Sequence, residues 1–208
     1  QAGCDSAMHP THREFMMAIA DFAILYDGKP GGSVVNGQSV GNAINKPPVV
    51  EAISAAHHHP FLVNYKHEPM ELRITADGNG DGIGDGQLPL ASGAKRDMAN
   101  IFRSPVHGDP FTPILKAFEG DRVSIRLLQG AQEEQHVFNM HGVRWKREVS
   151  NPGSPYVSAQ EVGISEHFEF NVDRLPAVAG RNNTADYLYH FGGIDSMWNG
   201  AWGFMRSF

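Results

Sequence analysis

The sequence predicts an all-β protein, a Greek-key sandwich or barrel of short strands joined by turns. Glycine contributes 23 and proline 13 of the 208 residues, a share that favours many turns. Hydrophobic residues make up 41% of the chain, enough for a buried core. In the C-terminal half, several short runs alternate apolar and polar side chains, and no long helical pattern interrupts them.

Residues 1–104 predict an irregular N-terminal extension of strands and loops. The run REFMMAIADFAILYDG fits strand and helix periodicity equally well, and we interpret it as a strand. Residues 28–60 predict a loop with one short helix at 48–56, and FLVNY after Pro60 predicts a strand. The following NYKHEPM, with His67 and Glu68, predicts a charged turn rather than a metal site.

Residues 105–208 predict the sandwich itself. In GDRVSIRLL, apolar residues alternate with Arg122, Ser124 and Arg126 between two turn signals, which is typical of a half-buried strand. HVFNMHGVRW, EHFEFNV and DYLYHF predict further strands. The C-terminal aromatic residues Trp198, Trp202 and Phe204 are expected in the core or an interface.

Composition and charge exclude several classes of function. Lys and Arg total 17 against 23 Asp and Glu, a net charge of −6 without any basic run, so nucleic acid is an unfavourable partner. No apolar stretch is long enough for a membrane span, and the N-terminus lacks a signal-peptide pattern, so we expect any export leader to have been removed. The single cysteine excludes an intrachain disulfide.

The C-terminal half resembles the multicopper oxidase family. The resemblance lies in DPFTPILKAFEGD, GDRVSIRLLQGAQEEQHVFNMHGVRW, EVGISEHFEFNV and YLYHFGGIDSMWNGAWGFMR, about half of the chain from Asp109 to the end. It is nearest to the large, many-domain, manganese-oxidising members. It implies a cupredoxin-like Greek-key sandwich at 105–208, with copper as the cofactor of the assembly.

The resemblance also implies a function. The chain is expected to be part of an oxidase that couples one-electron oxidation of a metal ion or small reductant to the reduction of O₂ to water. The implied partners are other cupredoxin domains or chains of the same oxidase, and the implied location is extracellular or periplasmic. The chain itself is expected to act mainly as a structural domain.

The family's blue copper site is incomplete in this sequence. The resemblance places His136 at the first imidazole, but Phe191 at the cysteine, Ser196 at the second histidine and Ala201 at the axial position. Blue copper requires a thiolate with two imidazoles. We therefore expect this site to hold no copper.

At the family's trinuclear positions two imidazoles remain, His141 and His190, while Asn139 and Gly192 stand where two more are expected. Three interpretations stay open: packed histidines in a scaffold domain, ligands shared with another chain, or a rebuilt site. The methionines that a rebuilt site would use are Met140, Met197 and Met205.

Cys4 and His9 are a further candidate copper pair, because five positions separate them, as in the family's blue site. The axial position would fall at Glu14, which does not match, and no histidine precedes Cys4. We interpret the pair as the end of a preceding copper domain. The alternative is a free or interchain cysteine.

The sequence DGNGDGIGD at residues 77–85 predicts a calcium loop, because Ca²⁺ takes oxygen ligands from alternate positions around a glycine turn. The expected ligands are Asp77, Asn79, Asp81, Asp85 and the carbonyl of Ile83. Leu88 stands at the closing position of an EF-hand, so a remote carboxylate or water would complete the site. A flexible acidic turn is the alternative for this loop. A calcium-stabilised, non-enzymatic binding module is the second hypothesis for the chain's function.

Calcium is expected to protect this loop from proteolysis, because ligation fixes the backbone that a protease must open. Limited digestion in millimolar Ca²⁺ and in chelator, read by mass spectrometry, measures the effect. Equal cleavage within 76–95 under both conditions would exclude the calcium loop.

Overall fold

The computed structural model of the chain describes residues 12–21, 30–31, 33–35, 38–41, 61–73, 101–130, 135–176 and 184–208. The strands in these ranges are β1 (Arg13–Ala20), β2 (Ser33–Val35), β3 (Gln38–Gly41), β4 (Leu62–Val63), β5 (Leu115–Ala117), β6 (Val123–Gln129), β7 (His136–Met140), β8 (Trp145–Lys146), β9 (Tyr156–Val157), β10 (Ala159–Val162), β11 (His167–Val172), β12 (Ala185–Phe191) and β13 (Trp202–Ser207). Two short helices, α1 (Ser104–His107) and α2 (Ile194–Trp198), and a 3-10 turn at Met70–Arg73 accompany them. Neither helix of the ranges given above has the length and apolar character needed to cross a membrane.

The strands form two main sheets that pack face to face. One sheet has the order β11-β6-β1-β4 and the other the order β10-β7-β12-β13-β5. Two-stranded ribbons, β2-β3 and β8-β9, lie outside them. The predicted all-β sandwich is confirmed.

The alternation in the sequence becomes the core between the sheets. Val123, Ile125 and Leu127 of β6 are buried, as the pattern predicts. The Phe138 ring of β7 stacks on the Phe170 ring of β11, with centroids 5.4 Å apart and planes 4° apart. Because β7 and β11 belong to different sheets, this ring pair joins the two layers.

β1 settles the ambiguous N-terminal run as a strand. It pairs in parallel with β6, from Arg13 opposite Val123 to Ile19 opposite Gln129. β1 lies between β6 and β4, so a segment assigned to the extension supplies an inner strand of the first sheet.

The strand predicted from FLVNY is shorter than expected. β4 has only two residues, because the chain reverses at Asn64 and Tyr65, which adopt φ of 49° and 63°. Val63 and Lys66 exchange backbone hydrogen bonds of 2.7 and 3.0 Å across this turn. The Asn64 side chain stabilises the reversal, since its Oδ1 accepts from the Ala18 N–H at 2.7 Å. The β2-β3 ribbon lies in a region predicted as loop, and the helix predicted at 48–56 lies outside the described residues.

A second, smaller core forms against the outer face of β13. Trp198, Trp202 and Phe204 are buried there with Met70 and Ile101. The C-terminal aromatic residues therefore belong to the core, one of the two places the sequence predicted for them.

A buried ion pair holds this second core to residues 61–73. Arg73, only 2% exposed, donates its Nε to Glu68 Oε1 at 2.8 Å. Its two terminal nitrogens donate to the carbonyls of Ile101 and Gly108 at 3.0 and 3.1 Å. The guanidinium also lies over the Trp202 ring, 5.0 Å from its centroid. Each nitrogen of the buried guanidinium thus donates to an acceptor, and the group also packs on an aromatic ring.

The second carboxylate oxygen and the backbone carbonyl of Glu68 also accept hydrogen bonds. Its Oε2 accepts from the Phe111 backbone N–H at 3.1 Å, and its carbonyl accepts from Trp202 Nε1 at 2.7 Å. The residue predicted in a charged surface turn is therefore buried and connects three separate stretches of chain.

Substituting Arg73→Met is expected to destabilise the fold by about 3–5 kcal/mol, because Glu68 would then be a buried carboxylate without its cation. The free energy of unfolding in urea measures this. Arg126→Met is the matched control, because Arg126 pairs with Glu14 at the surface (2.7 Å), where a pair contributes at most about 1 kcal/mol. Equal losses in the two variants would contradict the structural role of the buried pair.

Candidate metal centre

The residues that match the blue copper positions in the resemblance come together where β7 begins and β12 ends. His136 is the first residue of β7 and Phe191 the last of β12, and the two strands pair with Phe191 opposite Phe138. The Gly192 N–H extends the pairing by donating to the Val137 carbonyl at 2.7 Å. Antiparallel pairing thus brings two motifs that lie far apart in sequence to one end of the sandwich.

His136 is buried in a wall built by the N-terminal half. It is 1% exposed, and the Phe61 ring packs on its edge, with centroids 5.1 Å apart and planes 82° apart. Asp21, just after β1, places its Oδ2 3.8 Å from His136 Nε2. Motif reasoning in the C-terminal half had no signal for Asp21 or Phe61, because only the pairing of β1 with β6 and the position of β4 bring them here.

The side chains around His136 do not fit a blue copper ion. A Cβ added at Gly192 (φ 74°) would lie 2.5 Å from Ser196 Oγ and 3.8 Å from His136 Nδ1, so the imidazole and the hydroxyl flank this glycine. Phe191, at the thiolate position, is fully buried and packs on Phe138 with ring centroids 5.3 Å apart. A phenyl ring is no ligand, and a hydroxyl replaces the second imidazole, so the donors that blue copper needs are missing at these positions.

His141 and His190 form a pair of converging imidazoles. Their Nε2 atoms lie 3.0 Å apart. The backbone fixes the pair, because His190 lies opposite Asn139 in the β7-β12 register and the His141 N–H donates to the Leu188 carbonyl at 2.9 Å. The structure therefore brings together the two histidines that remain at the trinuclear positions.

The tautomer of His190 follows from its second hydrogen bond. Its Nδ1 lies 2.9 Å from the Gly192 carbonyl oxygen, which can only accept, so Nδ1 carries the proton. In the neutral ring Nε2 then has a free lone pair and accepts from the Nε2–H of His141. Burial lowers the pKa of His190, the Gly192 bond partly offsets this, and the neighbouring His141 lowers it further. His190 is thus held in the neutral form that binds metals.

The pair can supply two ligands of a metal site but not a whole one. The Asn139 amide donates to the Val137 carbonyl at 2.9 Å, and Gly192 has no side chain. Within the described ranges, no group of three or more His, Cys, Asp or Glu side chains is arranged to hold a metal ion. The three methionines considered for a rebuilt site pack in or against hydrophobic cores; they are Met140, Met197 and Met205.

Several predicted ligands lie outside the described residues and stay predictions. They are the copper pair Cys4 and His9 and the calcium ligands Asp77, Asn79, Asp81, Ile83 and Asp85.

Comparisons with known proteins give similarities in fold. No protein-family model matches the chain, and no curated protein matches it. Among solved structures, a multicopper oxidase from Campylobacter jejuni, described as a metallo-oxidase, is 11% identical with a TM-score of 0.47, over 99% of this chain and 32% of that one. A copper-containing nitrite reductase from Thermus scotoductus is 14% identical with a TM-score of 0.45, over 97% and 32%. A multicopper oxidase from Aquifex aeolicus is 16% identical with a TM-score of 0.38, over 48% and 22%.

These similarities concern the β-sandwich alone. The chain spans about a third or less of the length of each of these three copper proteins. Since identities stay below 20% and TM-scores below 0.5, what the chain does has to be argued from its own side chains.

His190 is expected to make stability depend on pH in the acid range. Its folded-state pKa lies below the ordinary 6.5, so the unfolded chain binds the proton more readily, and stability falls as pH drops below 6.5. Above 6.5 the ring is neutral in both states and contributes no slope.

Urea unfolding between pH 7.5 and pH 5 measures this slope, and His190→Gln should reduce it. His167→Gln, a change at an exposed histidine of β11, is the control. An NMR titration in which His190 protonates at or above 6.5 would contradict the prediction.

Proposed function

We propose that this chain is a cupredoxin-like domain of a copper oxidase that supplies structure and interdomain contacts and holds no blue copper ion itself. The observation that carries the proposal is the packing at the thiolate position. Phe191 is fully buried against Phe138 at the point where His136 and Ser196 meet around Gly192. Core packing thus occupies the position that the resemblance assigns to the sulfur donor of a copper site.

In the proposed oxidase, electrons pass one at a time from a metal ion or small reductant to O₂, which is reduced to water. Copper bound in other domains supplies this redox chemistry. Manganese is the proposed metal substrate, because the resemblance is nearest to manganese-oxidising members, and the proposed location is extracellular or periplasmic. The proposed partners are the neighbouring cupredoxin domains or chains.

We further propose that His141 and His190 contribute two imidazoles to a copper site that a neighbour completes. His141 is exposed, so the pair lies where another chain or domain can reach it. The Gly192 carbonyl fixes the His190 tautomer and leaves Nε2 as the ligating atom. His141 supplies the second nitrogen once its shared proton is released.

The variant His141→Ala/His190→Ala, made in the complete oxidase, tests this role. We expect copper per molecule to fall and oxidase turnover to drop, while the blue absorption of copper–thiolate sites in other domains stays. The matched control is His167→Ala, which removes an exposed imidazole from β11. Unchanged copper content in the double variant would leave the pair a purely structural contact.

The isolated chain tests the main proposal. We expect no blue absorption when it is titrated with copper, because among the described residues Phe191 stands where a blue site needs its thiolate, the source of that colour. A blue site in the isolated chain would overturn the proposal. Calcium at stoichiometry with no copper in the complete assembly would instead favour the calcium-stabilised module.

A further inference from the structure

Basic side chains gather around two adjoining grooves near the β8-β9 ribbon. The first, about 340 Å³, is lined by Gly142, Arg144, Tyr156, Asp173, Arg174 and Pro176, and is called the arginine groove below. The second, about 320 Å³, includes Arg122 and Lys146 and shares Asp173 with the first. Four cations and two carboxylates, Asp173 and Glu169, therefore line the two grooves, in a chain whose net charge is −6.

The two arginines of the arginine groove are not neutralised. Among the described residues, neither Arg144 nor Arg174 makes a side-chain hydrogen bond or an ion pair. Four other arginines of the described residues each bind a carboxylate; they are Arg13, Arg73, Arg126 and Arg206. Arg122, which lines the second groove, and Arg147 make no ion pair among the described residues either, so the two grooves hold three of these four guanidinium groups.

Asp173 is the carboxylate of this groove, and it is directed to a different partner. The Tyr156 hydroxyl donates to Asp173 Oδ2 at 2.9 Å. The hydrogen bond to this carboxylate raises the pKa of Tyr156, so the hydroxyl keeps its proton and its role as donor. Among the described residues, the hydrogen-bond partner of Asp173 is therefore the Tyr156 hydroxyl rather than an arginine.

The groove also has a shape that admits a ligand. Gly142, which adopts a φ of 78°, lines the groove without a side chain. The ring is 52% exposed and offers a flat face beside the guanidinium groups. Guanidinium groups bind carboxylates and phosphates through paired N–H donors.

We propose that the arginine groove binds a small ligand with two anionic groups, carboxylates or phosphates, which pair with Arg144 and Arg174. The ligand needs two anionic groups because the groove presents two separate cations. It also presents the Asp173 carboxylate, which repels an anionic ligand, so a single anionic group would gain less. The proposal is independent of the copper chemistry above. Gly142 directly follows His141, so the ligand would bind next to the imidazole pair.

Titration of the full chain with pyrophosphate and, separately, with citrate tests the proposal, followed by NMR or calorimetry at low ionic strength. We expect saturable binding of at least one probe, and the comparison distinguishes a phosphate ligand from a carboxylate ligand. The variant Arg144→Ala/Arg174→Ala should weaken binding about tenfold or more, since hydrogen bonds to charged groups are lost. Lys116→Ala on β5 removes one positive charge away from the grooves and should leave binding unchanged.

Asp173→Asn should change the binding affinity in the direction opposite to that of the double arginine variant. It removes the like charge and should tighten binding severalfold, an effect that partial unfolding cannot produce. The proposal is overturned if the wild-type chain shows no saturable binding up to about 10 mM of either probe, well above the millimolar range of a weak site. It is equally overturned if the double arginine variant binds like wild type.

Discussion

The buried residue Glu68 joins segments of the chain that lie far apart in sequence, because it accepts hydrogen bonds from Arg73, Phe111 and Trp202. Removing a carboxylate and a guanidinium from water is costly, so such a pair persists only where further hydrogen bonds complete it. Here Arg73 reaches two carbonyls, and Glu68 receives donors from Phe111 and Trp202. The position of the segment 61–73 is therefore fixed by specific polar geometry rather than by apolar burial alone.

The same segment is bonded to the turn between α2 and β13. The Phe61 N–H donates to the Asn199 carbonyl at 3.0 Å, and the Glu68 N–H donates to the Gly200 carbonyl at 3.3 Å. Gly200 (φ 104°) permits this approach, because a Cβ there would lie 2.9 Å from the Glu68 nitrogen. The polar network thus positions the Phe61 ring on His136. The hydrogen bonds that hold the segment 61–73 in place therefore also shape the wall of the candidate metal centre.

How much could be predicted depends on where each signal lies in the chain. The sequence predicted β6 and β11 because one face of each strand is apolar. It did not predict β13, because most of WGFMRS is buried and the segment shows no alternation of apolar and polar residues. Glu68 was predicted in a charged turn rather than in the interior, since burial by remote strands has no local signature. The resemblance located His141 and His190, but only the β7-β12 register brings their Nε2 atoms to 3.0 Å.

The two groups of histidines along β7 and β12, His136 on one side and His141 with His190 on the other, have different surroundings, and that difference is the physical basis for the proposed function. Around His136 the interior is closed by rings and by Asp21, and the buried Phe191 ring fills the position that the resemblance assigns to a thiolate. His190 is half-buried and held in the neutral form, and its Nε2 meets the exposed His141 ring, so the pair is accessible from outside the domain. In the proposed oxidase, these two imidazoles can therefore contribute to a metal site only where a neighbour supplies the remaining ligands.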